Sequence, residues 1–298
     1  MKRPLATVSI DVDPVDLHLQ GYGFMDLPPD ALVYDRALPR LAELFTRHGI
    51  RATFFVVGRD AAANAARLRE LEDAGHEIAS HSMTHPMPFV RVAMSKLKGE
   101  LKSSRAALEA VCRDPIIGFR APNWDVSPRA HAPLVEAGYR YDASGFPSLL
   151  QVPVRLLLLA KSSDPRKTFR MRPWPWTLER LPFQWEINGQ RLVQFPISTS
   201  PRLRFPIYHT TRYLIGDAAF VSHLDGFVRR GEPFFYPLHG VDALGLVEDS
   251  VDARLGRHPG LDKRLDYKLD LLSRSLAEIA RRFECVPYRD LLERLPIA

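Results

Sequence analysis

Asp11-Val12-Asp13, His81-Ser82-Met83-Thr84-His85, Arg120-Ala121-Pro122 and Leu238-His239-Gly240 each follow an apolar, β-rich run, and together they hold the residue types of a metal-assisted hydrolysis. Side chains two apart on a strand share a face, so Asp11 and Asp13 point the same way, with Asp13 just past the strand where the chain turns at Pro14. One carboxylate can then bind a cation while its neighbour stays free to take a proton. His81 and His85 are four apart, and Pro86 follows at once. A helix or a tight loop turns both imidazoles to one side, and two imidazoles with the Asp13 carboxylate leave positions for water and substrate on a divalent ion. Arg120 falls near a strand's C-terminal end, where its guanidinium can pair with Asp11 and keep it ionised and oriented. His239, between an apolar strand and Gly240, is placed to protonate a leaving group. Each pair occurs by chance in other chains, so the weight rests on all four following strands in the same manner.

Strands that end on one face must position these groups. Apolar β-rich runs fall at 6–10, 52–57, 77–80, 116–119, 139–141, 191–197, 234–238 and 285–288. Segments of 3.6-residue periodicity lie between most of them, at 38–48, 62–74, 94–111, 128–137, 217–230 and 266–282. The alternation predicts an α/β fold with a parallel sheet and helices outside, and eight strand candidates favour a barrel over an open sheet. Gly49, Gly75 and Gly138 are expected to end helices, and Ser127 and Asp217 to begin them.

The stretch 144–211 breaks this rhythm. It holds Pro147, Pro153, Pro165, Pro173, Pro175, Pro182, Pro196, Pro201 and Pro206 with Trp174, Trp176 and Trp185, which predicts loops and short strands. We read it as a cap or a substrate-facing lid inserted in a single domain over 1–298.

At 298 residues, 46% hydrophobic and 26% charged, the composition argues against disorder and coiled coil and suits one α/β barrel. A net charge of +6 fits an Arg-rich surface or attraction to anionic lipid or phosphate. The basic residues are dispersed, without a zinc finger or an RNA-binding motif, so nucleic acid is not the expected partner. Cys112 and Cys285 make no Cys-x-x-Cys pair and are expected as buried free thiols. Met1-Lys2-Arg3-Pro4 leads directly into a strand, so the expected compartment is the cytoplasm, with peripheral contact at the inner membrane face through 144–211.

In order, Ile10-Asp11-Val12-Asp13, His81-Ser82-Met83-Thr84-His85, Phe119-Arg120-Ala121-Pro122 and Leu238-His239-Gly240 resemble the blocks of the polysaccharide deacetylase family, also called NodB-homology or carbohydrate esterase family 4. The resemblance implies a distorted (β/α) barrel of about seven to eight strands and one divalent metal, usually Zn2+, with Mn2+, Co2+ or Ni2+ as alternatives. It implies Asp11 as base, Asp13, His81 and His85 as ligands, Arg120 as orienting partner and His239 as acid. The activity implied is removal of an acetyl or formyl group from an amino sugar. Val12 between the two aspartates departs from the adjacent pair of many members and is more similar to the deformylase of lipid-linked formamido-arabinose. Tyr141-Asp142-Ala143-Ser144 resembles the block after the Arg motif. Substrate contacts are accordingly expected from Pro122, Trp124 and Asp142, and from Arg172 and Trp174 in the insertion. A cyclic-amide or O-acyl ester hydrolase, or an inactive carbohydrate- or lipid-binding member, are the alternative readings.

Overall fold

The computed structural model describes residues 3–25, 27–150 and 179–297, and one sheet runs through them. Its strands are β1 (Leu5–Val12), β2 (Thr53–Val56), β3 (Glu77–Ser80), β4 (Gly118–Phe119), β5 (Tyr141–Gly145), β6 (Phe183–Ile187), β7 (Gln190–Pro196), β8 (Phe234–His239) and β9 (Glu284–Cys285). The order is β6-β7-β5-β4-β3-β2-β1-β8, and β9 pairs with the start of β1. Every pair is parallel except β6 with β7. That hairpin, which the sequence reading missed at β6, turns through Asn188 and Gly189 at φ 52° and 74°. Two left-handed residues are what a two-residue hairpin loop matched to strand twist requires.

The sheet curls into a half-barrel with helices outside, as the expected distorted barrel does. Phe195 of β7 and Phe235 of β8, near opposite ends of the strand order, bring their ring centroids to 5.8 Å. No ladder joins β6 to β8 among the described residues, so the curl stops short of closure.

Pleat alternation divides the core. Val8 and Ile10 of β1 point outward and pack with Leu41, Phe54 and Leu276 beneath the helices. Phe55, Tyr141, Phe195, Phe235 and Tyr288 fill the inside of the curl. At its base the Glu77 carboxylate accepts from the Thr53 hydroxyl (2.7 Å), the Tyr141 hydroxyl (2.9 Å) and the Arg289 N–H (3.0 Å).

Helices Leu38–His48 and Asp217–Arg230 have the expected bounds, and Ala65–Asp73, Met94–Glu109 and Leu265–Arg282 fall within a few residues of theirs. Gly49, Gly75 and Gly138 follow their helices at φ +62°, +83° and +86°, a conformation that only glycine adopts at little cost. Asp217 departs from expectation: Gly216 is the cap, and Asp217 is the first helical residue, drawn to Arg212 and Arg274. The expected strand at 285–288 is only Glu284–Cys285, because Pro287 introduces a helix over Tyr288–Arg294 that plugs the base of the curl. Both thiols are free, and both are half-buried rather than buried. No described helix is long and apolar enough to cross a membrane. Of the Pro-rich stretch, 151–178 lies outside the described residues, and with it the expected contacts Arg172 and Trp174.

Candidate active site

The parallel strands deliver their C-terminal ends to one rim, and the four segments meet there. Asp11 is the last inward residue of β1, and Asp13 follows it at the turn into Pro14. Asp13 Oδ1 lies 3.2 Å from His81 Nε2 and 3.6 Å from His85 Nε2. Ligand atoms of the three residues all lie within 4.8 Å of one another.

The two histidines reach this position from a loop, not from a helix. Ser82 and His85 take left-handed φ values of 66° and 56°, strained for residues with a side chain. Glu100, on helix Met94–Glu109, offsets the strain: its carboxylate accepts from Met83 N–H (3.0 Å), Thr84 N–H (2.8 Å) and the Thr84 hydroxyl (2.6 Å). Ser82 Oγ accepts from His85 N–H at 3.1 Å. His81 Nδ1 lies 2.8 Å from the Arg120 carbonyl, an acceptor only, so Nδ1 carries a proton and Nε2 is the nitrogen turned toward Asp13.

These residues fit a cation. Asp13 Oδ1, His81 Nε2 and both ring nitrogens of His85 are buried without a hydrogen-bond partner. Buried polar atoms almost always have partners, so convergent atoms left open describe a place for a ligand. Burial by itself raises the Asp13 carboxyl, but the His81 and His85 imidazoles outweigh it and hold that carboxyl well below its ordinary value. Burial takes His85 down to about 4, and a neutral imidazole is the ligating form.

Arg120 crosses the interior, fully buried. Its Nη1 donates to Asp11 Oδ1 at 2.5 Å, Nη2 to Ser9 Oγ at 2.9 Å and Nε to the Ala143 carbonyl at 3.1 Å. The guanidinium carbon stands 4.0 Å over the Phe55 ring. A buried guanidinium requires an anion, and Asp11 supplies it in a fixed orientation. On the adjacent strand β8, whose register sets His239 opposite Asp11, His239 Nε2 lies 4.0 Å from Asp11 Oδ2, and the His239 backbone N–H donates to Asp242 at 2.8 Å.

Pro122 and Trp124 flank this arrangement. Pro122 is buried in a short turn in which Asn123 and Trp124 have φ 55° and 53°, and the Trp124 ring meets His239 edge-on at 5.2 Å. Asp142 does not join them. Tyr141 and Ala143 point into the curl, so strand alternation sends Asp142 to the other face, where its carboxylate accepts from Ser144 N–H at 3.0 Å and burial pushes it up to about 6. Ser144 Oγ in turn accepts from Ala121 N–H at 2.8 Å, so Asp142 braces the Arg120 loop without facing a substrate.

Two residues at the site were missed from sequence. His18 Nε2 lies 3.8 Å from Asp13 Oδ2, and the His258 ring stands 5.4 Å from that of His18. His18 had a signal: a helix starting after Pro14 brings position 18 back over the turn that carries Asp13. His258 follows the turn Ala253–Arg257 with no local motif. Burial takes His18 down to about 4 and His258 well below its ordinary value.

Residues 26–141, less than half of the chain, match the family model for polysaccharide deacetylase. The match includes His81, His85 and Arg120, while Asp11, Asp13 and His239 lie outside it. A peptidoglycan deacetylase of Helicobacter pylori is 29% identical over 147 residues, covering 48% of this chain and 50% of that protein. A chitooligosaccharide deacetylase of Sinorhizobium fredii is 40% identical over 84 residues, 28% of this chain and 39% of that one. The chain thus matches about half the length, or less, of these curated relatives. Among solved structures, a putative polysaccharide deacetylase from Mycobacterium smegmatis superposes with a TM-score of 0.60 at 18% identity, over 98% of this chain and 90% of that one. The PuuE allantoinase superposes at 0.61 with 15% identity, over 97% and 89%. At such identities they share the fold.

Proposed function

We propose that the protein hydrolyses the N-acetyl group of an amino sugar in an oligosaccharide or polysaccharide, with the described residues and the insertion working as one domain. The observation that carries this reading is the juxtaposition at one rim of an open Asp13–His81–His85 set, an Arg120-held Asp11 and His239. The family match and the activities named for the similar peptidoglycan and chitooligosaccharide deacetylases support it, and they favour an acetylated glycan over a formylated lipid-linked sugar.

Asp13, His81 and His85 would hold one divalent ion, Zn2+ by donor type, which supplies polarisation of the acyl oxygen and a lowered water pKa. Asp11 takes the proton of the attacking water. Arg120 occupies Asp11 Oδ1, which leaves Oδ2 as the basic atom and sets its direction. His239, on the far side of that oxygen, hands a proton to the departing amine. Trp124 covers His239 and limits water around it.

The test is acetate release from N-acetylglucosamine oligomers by the purified chain. Release should stop with a chelator and return with Zn2+. Protein that binds one equivalent of Zn2+ yet frees no acetate from any N-acetylated amino sugar overturns the reading.

A further inference from the structure

Beyond the Asp13–His81–His85 set, a cluster of aromatic side chains stands against the reacting groups, with His18 and His258 both beside His239, the latter at 6.1 Å, and Tyr22 behind His258. His239 and His18 have ring centroids 5.3 Å apart, His18 and His258 5.4 Å, and His258 and Tyr22 6.3 Å, each pair meeting edge to face. His18 and Tyr22 come from helix Val15–Gln20 and the loop after it, and His258 from the end of the turn Ala253–Arg257. His18 Nε2, His258 Nε2 and His239 Nδ1 are all buried without a hydrogen-bond partner. The His18 side chain is only 8% exposed.

We propose that His18, His258 and Tyr22 form a subsite for the hydroxyl groups of the sugar that carries the N-acyl group. The proposal rests on the amino-sugar reading above and specifies what selects that substrate. A neutral imidazole offers one donor and one acceptor, and the Tyr22 hydroxyl, 3.2 Å from His258 Nδ1, decides which role is left to His258 Nε2. A sugar hydroxyl both donates and accepts, so it satisfies either role. An anion suits the place poorly, because Asp11, Asp13 and Asp242 bring negative charge to the same rim. A simple ester lacks hydroxyls to offer these nitrogens. A polyol ring beside the scissile group uses the whole cluster.

The experiment compares two substrates of the full chain loaded with Zn2+: the N-acetylglucosamine tetramer and an N-acetyl arylamine without hydroxyls. The readout is the ratio of their kcat/KM values. His258→Phe should lower that ratio about tenfold, chiefly through the KM of the tetramer, the scale of one buried hydrogen bond. Tyr22→Phe should lower it about threefold, and His258→Gln should recover part of the loss. Calorimetric titration of the tetramer into metal-free parent and variants gives a second readout, in which His258→Phe and Tyr22→Phe weaken binding in the same order. Circular dichroism establishes that each variant folds, and Tyr22→Phe serves if His258→Phe does not. Unchanged ratio and binding in a folded variant overturn the subsite and leave the deacetylase reading standing. A parent that frees no acetate from the tetramer overturns both.

Discussion

Glu77 and Asp13 are buried carboxylates inside the same curled sheet, one at the start of β3 and the other just past the end of β1, yet their surroundings are opposites. Glu77 accepts hydrogen bonds from Thr53, Tyr141 and Arg289, and burial still pushes it up to about 7. Asp13 Oδ1 has no hydrogen-bond partner, and the neighbouring imidazoles keep the carboxyl ionised against the same burial. The base of the curl is a closed polar cluster that serves the fold. The rim is left chemically unsaturated, at a cost in stability, and that cost is what a bound ion or substrate recovers.

The comparison breaks most sharply at the rim. His81→Ala and His85→Ala should each lose the metal and lower turnover by more than the roughly 10²–10⁴-fold typical of one missing proton-transfer group. Elemental analysis of protein purified without chelator should show close to one equivalent in the parent and little in the variants. Parent-like metal content in both would place the ion elsewhere.

Asp11→Asn should come next, with turnover down roughly 10²–10⁴-fold and the metal retained. It also leaves the fully buried Arg120 without its anion, so a stability loss of about 3–5 kcal/mol should accompany it in denaturant unfolding. Loss of the metal instead would make Asp11 a ligand.

The base should respond only to pH. The folded-state pKa of Glu77, about 7, lies above its ordinary 4.5, so folding favours its neutral form. The stability it contributes is fully present below about pH 4.5 and is lost as pH rises through 7, on the order of 3 kcal/mol in all. Glu77→Gln should remove that decline from the difference between parent and variant unfolding curves over pH 4.5–8, while turnover is kept. A variant whose pH profile matches the parent would show that Glu77 is ionised in the folded protein.

How much of this could be read beforehand depended on how local each signal was. Helices 38–48 and 217–230 were legible because an apolar stripe at helical period ends in a glycine, and both features lie within a dozen or so residues. The motif residues were legible because each stands at or just after the C-terminal end of a strand. The hairpin strand β6 and the helix Tyr288–Arg294 were not, since short apolar runs suit either state and packing decides between them. Asp142 was expected near substrate from the resemblance of the 141–144 block, and the structure, in which β5 runs Tyr141–Gly145 with Tyr141 and Ala143 inward, turns that carboxylate to the outer face.

By itself, the sequence determined the alternation of strands and helices, the glycines that end three helices, and the residue types that arrive at the strand ends, all through nearest-neighbour chemistry. Tertiary structure decided which of those residues share a space. It took the pairing of β8 beside β1, in a register that sets His239 opposite Asp11, to bring these two to 4.0 Å, the curl of the sheet to bring Arg120 from the end of β4 to Asp11, and the packing of the loops beyond to bring Tyr22 within 3.2 Å of His258 across 236 positions of chain. Periodicity constrains a side chain relative to its own element, whereas the distance between two strand ends depends on how every strand between them twists and packs.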